Sequence, residues 1–184
     1  FTGGYTLGLE RKLTDNLILD TGAYVGAGGG GAAAQGGGLM IRPHIGLKYD
    51  FKWSALGLNY SFVDFPNGEI SSDAIALSFD IPFTSPTLNW EDDDLTVADY
   101  FGVDSSNVSR HRSHLSARVR AYYPSSDSKT TSGGSINDSL GVVGVDYTYF
   151  LDENWFTTFE TSGALSGGVG AVSYTHLRAH ETEE

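Results

Sequence analysis

The chain has 184 residues, a net charge of −12 and no cysteine. Such acidity argues against a nucleic-acid partner, because phosphate binding needs clustered cations. The missing thiols exclude a disulfide scaffold, a thiol nucleophile and a thiolate zinc site.

From Phe1 to Phe83, apolar residues alternate with small or polar ones at a period of two, five times over. Side chains alternate across a strand, so the pattern predicts five strands with one apolar and one polar face. In the first, Phe1, Tyr5, Leu7 and Leu9 oppose Thr2, Gly4, Thr6, Gly8 and Glu10, up to a turn at Thr14–Asn16. The second, about Leu17 to Ala27, sets Leu17, Leu19, Ala23 and Val25 against Asp20, Gly22, Tyr24 and Gly26. A long small-residue loop to Gly38 follows. The third sets Leu39, Ile41, Pro43, Ile45, Leu47, Tyr49 and Phe51 against Met40, Arg42, His44, Gly46, Lys48 and Asp50. Lys52-Trp53 turns into a fourth, with Leu56, Leu58, Tyr60 and Phe62 against Gly57, Asn59 and Ser61. After the Asp64–Ser72 loop, with its Pro and Asn-Gly turn signals, a fifth strand ends at Phe83.

Residues 84–110 lose the alternation and read as an acidic linker or insert. Its Glu91-Asp-Asp-Asp94 run lacks the spacing of a calcium loop. Strands resume at His111–Tyr123, where Leu115, Ala117, Val119, Ala121 and Tyr123 oppose Arg112, His114, Ser116, Arg118 and Arg120. A Ser/Thr/Gly-rich loop from Pro124 to Asn137 precedes a hairpin, Leu140–Leu151 and Trp155–Leu165. Leu151-Asp-Glu-Asn154 echoes Leu13-Thr-Asp-Asn16, and each hairpin runs into a Gly-rich loop. That layout predicts duplication: 1–83 as the five-strand end of one barrel unit and 111–171 as the start of a similar second one.

Long amphipathic strands joined by alternately short and long connections resemble the bacterial outer-membrane β-barrel proteins. The resemblance rests on pattern and assigns no particular family. It implies an all-β antiparallel transmembrane barrel with about eight strands visible, placed in the outer membrane with the lipid bilayer as partner. Phe79, Ile81 and Phe83 resemble the aromatic closing strand of such barrels, although the chain continues past them. No run approaches the roughly 18 apolar residues of a spanning helix, a test that barrels escape. Residues 172–182 resemble a translated sequencing adapter, so 172–184 are set aside as an artefactual tail with His176 and His180. The expectation is therefore a fragment cut at both ends, an incomplete barrel whose free edges would aggregate.

The residues with most chemical content are charges on the polar face: Arg42, His44, Lys48, Arg112, His114, Arg118 and Arg120. An apolar opposite face forbids turning them toward lipid, so they belong in a lumen, hydrated or paired. Glu10, Asp20, Asp50, Asp80, Asp146 and Glu160 are the candidate partners. The arrangement is either a salt-bridge network that plugs a narrow barrel or a charge-selective lining for small solutes. Tyr5, Tyr24, Tyr49, Trp53, Tyr60, Tyr123, Tyr147, Tyr149 and Trp155 suit interfacial aromatic girdles.

No cofactor, metal site or catalytic residue is expected. Gly26-Ala-Gly28-Gly-Gly-Gly31 satisfies a dinucleotide fingerprint in form but opens no helix. His114 with Ser116, or His44 with Ser61, could supply a hydrolase base and nucleophile, but no orienting group or oxyanion hole accompanies them. The alternative is a soluble periplasmic or secreted β-sandwich used for binding or adhesion. There Leu39, Ile41, Ile45 and Leu47 would point into a core and Arg42, His44 and Lys48 into solvent.

Overall fold

A computed structural model describes residues 1–29, 33–88, 108–136 and 138–167, with backbone alone for 85–88 and 108–110. The expected acidic run Glu91–Asp94 and the tail 172–184 lie outside these residues. Eight strands follow one another: β1 (Thr2–Lys12), β2 (Leu17–Gly28), β3 (Leu39–Asp50), β4 (Ala55–Asp64), β5 (Ser71–Leu88), β6 (Val108–Pro124), β7 (Leu140–Phe150) and β8 (Trp155–Gly167). Each pairs antiparallel with the next, and β1 pairs with β8 from Thr2↔Ser162 to Leu9↔Trp155, so the sheet closes on itself.

Closure corrects three expectations. The barrel is not incomplete, because its first and last strands satisfy each other's backbone groups and leave no seam to aggregate. Strands assigned to separate units, 1–83 and 111–171, form one barrel, and the two similar hairpins are neighbours across the β1–β8 seam. Phe83 is not a barrel terminus: β5 continues to Leu88 and pairs with β6 along its whole length, Ser72↔Pro124 to Leu88↔Val108. The two ends of the supposed linker, 84–88 and 108–110, are thus strand. Thr84-Ser-Pro-Thr87 concealed the first of them, since two polar residues flanking a proline break the alternation.

The alternation places the faces as a membrane-type barrel requires and as a sandwich does not. Leu7, Val25, Ile45, Leu58, Leu77 and Val119 are more than half exposed outward, while Arg42, Asp80 and Asp146 are almost wholly buried within. Aromatic residues gather on the outer face toward the short-turn end. Trp53 stands against Phe79 (6.2 Å between centroids), Tyr49 against Phe51 (4.9 Å) and Phe83 against Tyr147 (6.1 Å). Tyr24 departs from the expected girdle. Its even position turns it inward, and it is completely buried.

At one end, the turns at residues 13–16, 51–54 and 151–154 are short. Thr14 Oγ1 accepts from the Leu17 N–H (3.0 Å), and Asp152 Oδ1 accepts from the N–H groups of Asn154 and Trp155 (2.7 Å each). Those two donors, Trp155 first, hold the Asp152 carboxyl below its usual range. Lys52 takes a left-handed φ of 75°, and its N–H is anchored on Asp50 Oδ1 at 2.6 Å.

At the other end, three longer loops lock together through a ring of backbone bonds. Glu69 N–H donates to the Ala34 carbonyl (2.9 Å), Ala34 N–H to that of Lys129 (3.2 Å) and Lys129 N–H to that of Glu69 (2.9 Å). Beneath this ring Tyr24, Met40, Val63, Phe65, Ala74, Tyr122 and Val142 form an apolar cluster. The barrel is therefore stoppered at the long-loop end.

Inward glycines set how closely the walls approach. A Cβ on Gly22 would lie 2.7 Å from the Leu7 carbonyl and 2.8 Å from the His44 ring. Replacing Gly22 by Val is expected to cost about 1–3 kcal/mol through overpacking, read as a lower urea midpoint of the refolded barrel.

Candidate functional site

Parity along the strands carries Glu10 (β1), Asp20 (β2), Arg42, His44 and Lys48 (β3), Asp80 (β5), Arg112, His114, Arg118 and Arg120 (β6), Asp146 (β7) and Glu160 (β8) to the inner face. β4 and the upper half of β5 present mostly small groups there, among them Gly57, Ser61, Ala74, Ala76 and Ser78. Long charged side chains from the other walls fill the space left over. Five carboxylates meet five permanent cations and two imidazoles.

These groups form two clusters. Toward the short turns, the Lys48 ammonium lies 2.9 Å from Glu10 Oε1, 3.2 Å from Asp20 Oδ2 and 3.3 Å from Asp80 Oδ2. His44 Nε2 sits 3.3 Å from Asp20 Oδ1, and Arg112 reaches Glu10 Oε2 at 3.2 Å. Toward the long loops the signs are exchanged. Glu160 Oε2 is met by Arg42, by Arg118 at 2.8 Å and by Arg120 at 3.6 Å, while its Oε1 accepts from Thr6. Arg118 also pairs with Asp146 at 2.8 Å, and Arg120 donates to the Tyr122 hydroxyl at 3.1 Å.

Aromatic rings complete the filling. The Arg42 guanidinium lies over Tyr24, 4.3 Å from its centroid. At the short-turn end, Phe150 and Phe156 stack 5.8 Å apart, with Arg112 over Phe150 at 3.5 Å and His114 against its edge at 4.9 Å. Cations over ring faces are stabilised by the ring quadrupole, more so where water is scarce. Charge and ring together occlude the short-turn end.

The one predicted lumen charge that lies elsewhere is Asp50. Its carboxylate caps the β3–β4 turn through the Lys52 N–H, and its carbonyl accepts from Asn16 Nδ2 at 2.9 Å. The inward members not foreseen are Tyr122, Phe150 and Phe156; Thr6 and Tyr24 stand on the polar face as their parity predicts. Tyr24 counts toward the girdle as well as toward the polar face, and even numbering on β6 would have revealed Tyr122.

The hydrolase pairings gain little. His44 faces Ser61 in register and contacts Asp20, while Ser116 hydrogen-bonds Asp80. Ser61, Ser116 and Asp20 are buried inside the filled lumen, away from any substrate. Among the described residues no group of three or more His, Asp or Glu is arranged to hold a metal ion. Comparisons with family models, curated proteins and solved structures return no match for this chain.

Removing one partner of a buried ion pair strands the other, at about 3–5 kcal/mol. Glu160→Gln is expected to destabilise the barrel by about that much, because three guanidiniums lose their common acceptor. Adding Arg120→Gln should recover part of the loss. A double-mutant cycle from urea titrations measures the coupling, and strict additivity would show the pair to be energetically silent.

Proposed function

We propose that this chain is a bacterial outer-membrane β-barrel with a structural role, its lumen plugged by its own charges. The observation that carries the reading is the inversion of the usual protein plan. Leu7, Ile45, Leu58 and Val119 stand outside while the ion-pair network lies within. A water-facing barrel with this surface would expose a continuous apolar belt far larger than the patches soluble monomers tolerate. In hydrocarbon the same belt is at home, and among the described residues closure leaves no sheet edge within the belt.

Strand length supports the reading. β1, β2, β3, β4 and β7 run 10 to 12 residues, close to the roughly 9–11 residues with which a tilted strand crosses a bilayer. Three short turns at one end and three interlocked loops at the other match the periplasmic and outer sides of such proteins. The plugged interior favours a structural over a pore role. Apolar side chains stopper one end, Phe150 and Phe156 the other, and the charges between them are committed to each other.

Refolding into phosphatidylcholine vesicles followed by flotation tests the reading. The native chain is expected to float with lipid, and Ile45→Arg to fold poorly there, at a cost of about 2–4 kcal/mol for a charge near the midplane. A monodisperse chain in detergent-free buffer that ignores vesicles would overturn the membrane assignment. Vesicles loaded with a small anionic dye should stay tight; rapid leakage through the native barrel would replace the structural role with a pore.

A further inference from the structure

The two lumen clusters are not balanced alike. Toward the short turns, Glu10, Asp20 and Asp80 meet Lys48 and Arg112, and two imidazoles, His44 and His114, stand among them to take up a proton. Toward the long loops, Arg42, Arg118 and Arg120 meet only Glu160 and Asp146. Tyr24 and Tyr122 add rings and hydroxyls to that cluster but no carboxylate. One guanidinium charge is left over in a buried interior, where an uncompensated ion is strongly unfavourable.

The surplus can be placed. Arg42 and Arg120 both donate to the Tyr122 hydroxyl, at 3.5 and 3.1 Å, and both reach Glu160 Oε2. Two like charges thus stand side by side and share the same two oxygen atoms. A guanidinium has five N–H donors and no acceptor. The Nε of Arg42 and the Nε of Arg120 are buried without a hydrogen-bond partner among the described residues. Their residues are 1% and 3% exposed, so bulk water does not serve them.

The thin wall supplies a third donor. Ser61 pairs in register with Ala74, Ala74 with Tyr122 and Ala76 with Arg120. Ser61 Oγ is likewise buried and unpartnered. Ala74 and Ala76 are too short to reach across to β3, which leaves the gap between Arg42 and Arg120 to something other than a side chain. Water answers this need poorly, because it brings no charge and must place two hydrogens of its own among donors. A bulky oxyanion has no way in, since both ends are stoppered. A monatomic anion accepts from every direction, and hydrogen bonds to a charged acceptor are the stronger kind.

We infer that the lumen between Arg42, Arg120 and Ser61 is a binding site for a chloride ion, taken up as the barrel folds and held as part of its interior. The inference rests on the closed lumen and holds whichever solvent surrounds the barrel.

The test unfolds the vesicle-refolded barrel with urea in sodium chloride or sodium gluconate of equal ionic strength. Flotation of the same preparation separates failure to enter the membrane, which sinks the membrane reading, from failure to respond to chloride, which sinks only the ion site. A ligand held by the folded state alone stabilises it by mass action. Above the dissociation constant, each tenfold rise in chloride is expected to raise the folded-to-unfolded ratio about tenfold. Bromide should act as chloride does; sulfate raising the midpoint as much would mark a general salt effect and overturn the site. Arg120→Gln removes both the surplus charge and one donor, and should lose the chloride response whatever it does to stability itself. Equal midpoints in chloride and gluconate, or an unchanged response in Arg120→Gln, would overturn the site. Should Arg120→Gln fail to fold, Ser61→Ala removes one donor alone. It should move the onset of the response to about tenfold higher chloride, and an unmoved onset would overturn the site equally.

Discussion

Everything in this barrel follows from putting charge where neither water nor lipid can solvate it. An isolated buried ion costs several kcal/mol, and only close opposite charge with further hydrogen bonds offsets that cost. The lumen meets the requirement by committing nearly every charged group to more than one partner. Because the partners sit on β1, β2, β3, β5, β6, β7 and β8, the network also ties the walls together across the axis. A one-residue slip on any of these strands would turn a charge outward and strand its partners inside. A two-residue slip keeps every side chain on its face, and there the ion pairs specify a register that the apolar belt, being tolerant of shuffling, does not.

Filling a lumen with long side chains demands that some walls be thin. Gly57, Ser61, Ala74, Ala76 and Ser78 make β4 and part of β5 the thin wall, facing the guanidiniums of β3 and β6. Glycines on β1 and β2 do the same for rings: the Phe156 ring occupies the space a Cβ on Gly8 would take, and Tyr24 folds against Gly26. The sequence alternation therefore carries two messages at once, polar against apolar across the sheet and large against small around the barrel.

The first message was legible before the structure and the second was not. A period of two assigns each residue to a face, so all the lumen charges but Asp50 could be named from parity alone. Asp50 escaped because the same parity holds to the last residue of β3, where the strand is already giving way to a turn whose Lys52 has positive φ. Closure was hidden for a different reason. The β1–β8 pairing joins residues some 150 apart, from Leu9↔Trp155 to Thr2↔Ser162, and no local pattern encodes a partner. The outer ends of β5 and β6 were hidden because a two-stranded ribbon outside the belt has no apolar face to declare it.

The two clusters also show why the central groups are a lysine and a glutamate. An ammonium is a compact charge with three rotatable donors. Lys48 meets three carboxylates from three strands, at 2.9, 3.2 and 3.3 Å. A guanidinium would hold all its donors in one plane, whereas the three N–H groups of an ammonium diverge toward three strands. Glu160 faces the inverse problem. Its two oxygens offer about four acceptor sites, which Arg42, Arg118, Arg120 and Thr6 approach from β3, β6 and β1. Guanidiniums suit that cluster because each retains donors for a second partner: Arg118 for Asp146 and Arg120 for the Tyr122 hydroxyl. A point cation among carboxylates, and a forked acceptor among planar cations, are the two arrangements in which one residue of either sign can serve three of the other.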